Sequence, residues 1–202
     1  SQTENEAMKT KRNCENGLRK EVADLPYSHS EDLTDEVLAS TLAGLEKMWA
    51  QYGYAEVLGE LSHQWSLDNA LNFFEKMRFD TPKPRTIRTI GTLYHRGYNG
   101  GIERVQAQLM SLWINMGYRV VFFSEELANP LDFPYPSTVK RILISKTTDI
   151  PARLLAIQKG ITEEKVDVRI NHNWSDCLAT WEVMLLKLMD VPYITYCHAH
   201  FS

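Results

Sequence analysis

The sequence predicts an α/β protein, a Rossmann-like doubly wound parallel sheet preceded by a helical N-terminal segment. Beyond residue 85, short β-branched runs alternate with helical stripes, and strands separated by such helices require right-handed crossovers and a parallel sheet covered on both faces. Before residue 80 only helical stripes occur. Between the two textures, Asp80-Thr81-Pro82-Lys83-Pro84-Arg85 places two prolines where neither a helix nor a strand continues.

Taken in order, residues 1–30 mix Lys, Arg, Glu and Asn with few apolar positions, the composition of a flexible tail or a marginal helix rather than core. Residues 31–80 form a helical segment. Val37, Leu38, Leu42, Leu45, Met48 and Trp49 make one stripe, with Ser30 and Asp32 placed to cap its start. Ser66-Leu67-Asp68 opens a second through Leu71, Phe74 and Met77. Trp49, Trp65, Phe73 and Phe74 need cover, either within a small accessory domain or as a layer on the sheet. Residues 81–85 are the linker, and 86–202 the sheet domain.

Within that domain, strands are expected at 86–93, 118–123, 141–144, 166–170 and 192–196. The intervening helices are read from Ile102, Val105, Leu109, Leu112, Trp113 and Met116, ended by Gly117, then at 152–159 and 175–189.

The 202 residues are 44% hydrophobic and 24% charged, which excludes disorder throughout, and a net charge of −4 gives no basic footprint for nucleic acid. Cys14, Cys177 and Cys197 are odd in number and lack C-x-x-C spacing, which places the chain in a reducing, cytoplasmic compartment. No apolar run approaches the roughly 18 residues of a spanning helix; Glu182 and Lys187 interrupt the most apolar stretch, and the acidic start is not a secretion signal. The chain lacks an initial Met and ends just after an apolar strand-like run, so both ends are expected to be cut from something longer.

In open parallel sheets, ligands bind beyond the carboxyl ends of the strands. Three segments meet that criterion: Tyr94-His95-Arg96-Gly97-Tyr98-Asn99-Gly100-Gly101 after the first strand, Asn171-His172-Asn173-Trp174 after the fourth, and Cys197-His198-Ala199-His200 after the fifth. Four of the six histidines, His95, His172, His198 and His200, lie on this edge. Gly100-Gly101 opens a helix, so bare backbone and the positive helix end can face an anion such as a phosphate; the same pair also suits a plain tight turn. Neither G-x-G-x-x-G nor a P-loop is present.

His198 and His200 share a face of an extended segment, and with His172 would make a three-imidazole zinc set. No carboxylate accompanies them, and imidazoles at a strand edge more often hydrogen-bond substrate hydroxyls, so no metal is expected. Glu103 either offsets the helix end or reaches the ligand cleft, and Trp174 either packs or floors a ring site. Cys197 and His198 are adjacent on an extended segment, point to opposite faces and do not form a dyad.

Gly100-Gly101-Ile102-Glu103-Arg104-Val105, the helix with Gln108-Leu109 and Trp113, and the strand Arg119-Val120-Val121-Phe122 resemble the first β-α-β unit of the N-terminal domain of GT-B glycosyltransferases of family four, the "glycosyl transferase group 1" set. Asp167-Val168-Arg169-Ile170-Asn171-His172-Asn173-Trp174 is similar to that family's strand with a histidine-bearing loop. Leu188-Met189-Asp190-Val191-Pro192-Tyr193-Ile194-Thr195-Tyr196-Cys197-His198 is similar to the strand that follows it. Residues 1–85 have no such counterpart.

The resemblance implies the N-terminal, acceptor-side half of a retaining transferase, moving sugar from a nucleotide diphosphate to a hydroxyl acceptor in polysaccharide or glycolipid synthesis. It places Gly100 and Gly101 against the donor diphosphate, His198 at the reaction centre, and His172, Asn173 and His95 on the acceptor side, with Glu103 and His200 as further candidates. The family often shows a second histidine where this chain has Asn171. The implied co-substrate is a nucleotide sugar with no other cofactor, and the acceptor a sugar, glycan or lipid-linked hydroxyl. The setting is cytoplasmic, compatible with peripheral association at the inner membrane face. The donor-holding C-terminal domain is expected to lie outside these residues, leaving residues 1–202 with little turnover alone. Two rival readings are a non-catalytic α/β scaffold and a nucleotide-sugar epimerase.

Overall fold

The computed structural model of the chain describes residues 2–29, 33–77, 85–144, 149–172 and 177–198. The chain divides into two compact units, Ser1–Arg78 and Phe79–Ser202.

The first unit is all helical. It comprises α1 (Gln2–Ala23), a 3₁₀ turn (Pro26–His29), α2 (Asp35–Tyr52), α3 (Tyr54–Gln64) and α4 (Leu67–Lys76). Of the two readings of residues 1–30, a flexible tail or a marginal helix, residues 2–23 take the helix: α1 is rich in good helix formers, and its last turns bury Leu18 and Val22, followed by Leu25. Ser30 and Asp32 lie outside the described residues, and the cap of α2 is Thr34, whose hydroxyl accepts from the Val37 N–H at 3.3 Å. Gly53, at φ 96°, turns the chain between α2 and α3. Trp65 and Phe73 find cover within this unit, edge-on to each other at 5.4 Å, with Tyr27 against both.

The second unit is the predicted parallel sheet. Its elements are β1 (Thr89–Tyr94), α5 (Gly101–Asn115), β2 (Arg119–Ser124), β3 (Lys140–Leu143), α6 (Ile150–Glu164), β4 (Val168–Asn171), α7 (Cys177–Leu188) and β5 (Tyr193–Thr195). The strand order is β3-β2-β1-β4-β5, parallel throughout, so the direction of winding reverses between β1 and β4. On one face Met110 of α5 packs with Val120, Phe122 and Val139. On the other, Gly160 of α6 lies so close to Phe123 and Ile142 that a Cβ would meet them at 2.7 and 2.9 Å. Of the expected linker only Arg85 is described, and among the described residues no helix is long and apolar enough to cross a membrane.

Candidate functional site

The carboxyl ends of β1, β4 and β5 lie side by side because of the strand register. Leu93 pairs with Asn171 and Asn171 with Thr195; the His172 N–H donates to the Leu93 carbonyl at 3.3 Å and the Tyr196 N–H to that of Asn171 at 2.8 Å. This edge adjoins the reversal of strand order, where open α/β sheets form their ligand crevice. His95, His172 and His198 follow these three ends. Asn173, Trp174 and His200 lie outside the described residues.

His172 and His198 are brought together. Nδ1 of His172 is 2.9 Å from Nε2 of His198, a hydrogen bond; two imidazole nitrogens sharing a tetrahedral zinc would stand about 3.3 Å apart. Tyr196 packs on both rings, at 4.6 Å from His198 and 5.6 Å from His172. His172 is 1% exposed, and Nε2 of His172 and Oδ1 of Asn171 are buried with no hydrogen-bond partner among the described residues. Nδ1 of His172 is thus engaged by His198 and its Nε2 is buried, so among the described residues its ring is approached through His198. Among the described residues no three His, Cys, Asp or Glu side chains converge as a metal site.

Burial, and then the neighbouring His198, push the pKa of His172 from 6.5 to about 4. Burial also lowers that of His198. Both rings are neutral at neutral pH, and the unfolded chain binds a proton below pH 6.5 that folded His172 refuses until about pH 4. This contribution is whole above pH 6.5 and is lost as pH falls to about 4, by about 3 kcal/mol. Urea denaturation at about pH 7 and about pH 5 should show wild type losing more stability than His172→Asn. Equal losses would contradict this.

The two glycines at the start of α5 differ in their surroundings. Gly100 caps α5 with no side-chain hydrogen bond, and the carboxylate of Glu103, 3% exposed, folds back against it where a Cβ of residue 100 would sit. Glu103 accepts from Nε of Arg96 at 3.0 Å and, in the first turn of α5, its carboxylate offsets the positive helix end. Asn99, at φ 76°, turns the chain into this cap. Gly101 differs: a Cβ there meets nothing within 4 Å. Close approach to α5 is thus open at Gly101 and filled at Gly100.

Sequence reading missed a buried chain of charges beneath the same edge. Nδ1 of His95 lies 3.0 Å from Oε1 of Glu125, which also accepts from Nη1 of Arg153 at 2.6 Å. Nε of Arg153 donates to Glu182 at 2.6 Å, and Nη2 of Arg169 lies 3.6 Å from the other oxygen of Glu182. Burial opposes the charge of Arg153, but Glu182 and Glu125 outweigh it and raise its pKa. Arg169, fully buried over the Phe123 ring at 4.5 Å, is lowered to about 10 chiefly by burial. The available signal was Glu182 itself, a carboxylate inside an otherwise apolar helical stretch.

The loop after β1 is anchored to the end of β2. The His95 carbonyl accepts from the Glu125 N–H and the Ser124 hydroxyl, both at 3.0 Å. The Phe133 N–H donates to the Gly97 carbonyl at 2.8 Å, and the Tyr98 hydroxyl to Glu126 at 2.8 Å.

Residues 99–202, just over half of the chain, match Glycosyltransferase Family 4. No curated protein matches. Among solved structures, a glycosyltransferase from Rickettsia africae ESF-5 is similar at 15% identity over 58% of this chain and 31% of that one, with a TM-score of 0.43. A mutant O-GlcNAc transferase from Thermobaculum terrenum is similar at 12% identity over 82% of this chain and 34% of that one, with a TM-score of 0.44. The chain spans about a third of the length of either.

Proposed function

The chain belongs to glycosyltransferase family 4, and from that membership we propose that residues 86–202 are the acceptor-side domain of a retaining glycosyltransferase. It would move a sugar from a nucleotide diphosphate to a hydroxyl of a sugar, glycan or lipid-linked acceptor. The observation that carries this reading is the family match over residues 99–202, which takes in Gly100, Gly101 and His198. Departure of the nucleotide diphosphate develops negative charge, which N–H groups at an open helix start stabilise without reorganising. Gly101 provides such a start, with free space over its Cα. His198, neutral and at the adjoining strand end, would hydrogen-bond the transferred sugar. A second domain would hold the nucleotide and close the site against water, so residues 1–202 alone are proposed to turn over little.

Gly101 provides the test. Because its added Cβ meets nothing, Gly101→Ala should not lower the melting temperature, whereas Gly100→Ala must displace the buried Glu103 carboxylate from Arg96 and should lower it. In the intact protein, Gly101→Val should lower kcat/KM for the nucleotide sugar by about tenfold or more, because the side chain occupies the ligand's approach. A Gly101→Val protein with wild-type kcat/KM would show that no donor lies there.

A further inference from the structure

We propose that His172 carries its proton on Nδ1 and donates it to Nε2 of His198, holding His198 as its Nδ1–H tautomer; His172 is then a positioning residue for His198. The substrate consequence rests on the transferase reading, whereas the tautomer assignment does not.

At 2.9 Å, Nδ1 of His172 and Nε2 of His198 share one proton site, so one nitrogen donates and the other is bare. There are two assignments. If His198 donates, Nδ1 of His172 must be bare, and the neutral ring then carries its own proton on Nε2. That atom is buried with no hydrogen-bond partner among the described residues, so the result is an orphaned N–H inside the protein. If His172 donates, Nε2 is instead a bare lone pair. Orphaned buried N–H groups are rarer than under-satisfied acceptors, and this favours donation by His172.

The surroundings keep the donor in place. His172 is anchored through its backbone N–H to Leu93, packed against Tyr196 and 1% exposed, whereas His198 is only partly buried. The low pKa of His172 keeps the pair a neutral donor with a neutral acceptor at neutral pH. With Nε2 of His198 occupied by His172, the ring of His198 offers a substrate only Nδ1–H. His198 then donates a hydrogen bond to a sugar oxygen and does not take a proton from the acceptor hydroxyl.

The test is long-range proton–nitrogen NMR of the ¹⁵N-labelled 202-residue chain at neutral pH, with His198 signals identified by their loss in His198→Ala. In wild type, both Nδ1 atoms should be protonated and both Nε2 atoms bare. His172→Asn places an amide N–H where Nδ1–H stood and should preserve the His198 tautomer. His172→Phe keeps the ring but has no donor and should shift the His198 proton toward Nε2. A wild-type His198 protonated on Nε2 overturns the proposal, as does a His198 tautomer unmoved by His172→Phe. If His172→Phe does not fold, the wild-type spectrum decides alone. The expected spectrum in a protein that transfers no sugar would leave this assignment standing and overturn only the functional reading.

Discussion

Replacing Arg153 with methionine is expected to cost the α/β unit about 3–5 kcal/mol, a large part of the 5–15 kcal/mol margin typical of a domain. Methionine fills comparable space, so the loss is electrostatic. Arg153 is 2% exposed and gives Nη1 to Glu125 and Nε to Glu182, each at 2.6 Å. Without it, Glu125 loses its guanidinium and Glu182 keeps, among the described residues, only Arg169, at 3.6 Å and not hydrogen-bonded. Desolvated carboxylates then stand without the charge that made their burial tolerable. The exposed Lys159–Glu163 pair, at 3.8 Å, is the control: Lys159→Ala should change stability by no more than about 0.5 kcal/mol. Chemical denaturation of both variants checks this, and a loss within about 1 kcal/mol for Arg153→Met would mean the charge network contributes little.

His198→Ala in the intact protein should lower kcat by about 10²–10³-fold, the loss typical when one preorganised hydrogen-bond donor is removed from a transition state. The variant should remain folded, because His198 is only partly buried at the strand edge. It will still lose some stability, because Nδ1–H of His172 loses its acceptor inside the protein, a defect of about 1–3 kcal/mol. Steady-state kinetics with saturating donor separates the two roles. A raised KM with unchanged kcat would mean that His198 binds ground state and transition state alike and sits outside the reaction centre.

Much of the sheet was legible because its strands are β-branched runs bounded by breakers. β1, β2 and β4 fall within a few residues of the positions expected from 86–93, 118–123 and 166–170. α1 was legible only as one of two readings, a marginal helix, since a helix that buries little beyond Leu18 and Val22 leaves no apolar stripe to separate it from a tail. In α3, Ala55, Leu58 and Leu61 do recur on one face, but Gly53 and Gly59 punctuate the segment and mask the pattern.

The histidines of the site were visible because position at a strand end is a local property. Their partners were not. Nothing local connects Glu125 to Arg153, 28 residues on, or Arg153 to Glu182, 29 further; the crossovers through α6 and α7 make those meetings. The depth of His172 was equally unreadable, because it depends on Leu93 and Tyr196 arriving from β1 and from beyond β5. Glu103 was ambiguous for a different reason. A carboxylate in the first helical turn fits both a cap and a ligand contact, and its fold against Gly100 and its bond to Arg96 are set by the loop after β1 and not by the local pattern.

The most direct measurement is mass spectrometry of the products formed when the intact protein meets a panel of nucleotide sugars with and without hydroxyl acceptors. The predicted result is acceptor-dependent release of one nucleotide diphosphate together with a glycosylated acceptor, suppressed by His198→Ala. Isomerised sugar nucleotide formed without an acceptor, or no product from any donor, would contradict the assignment of these residues to sugar transfer.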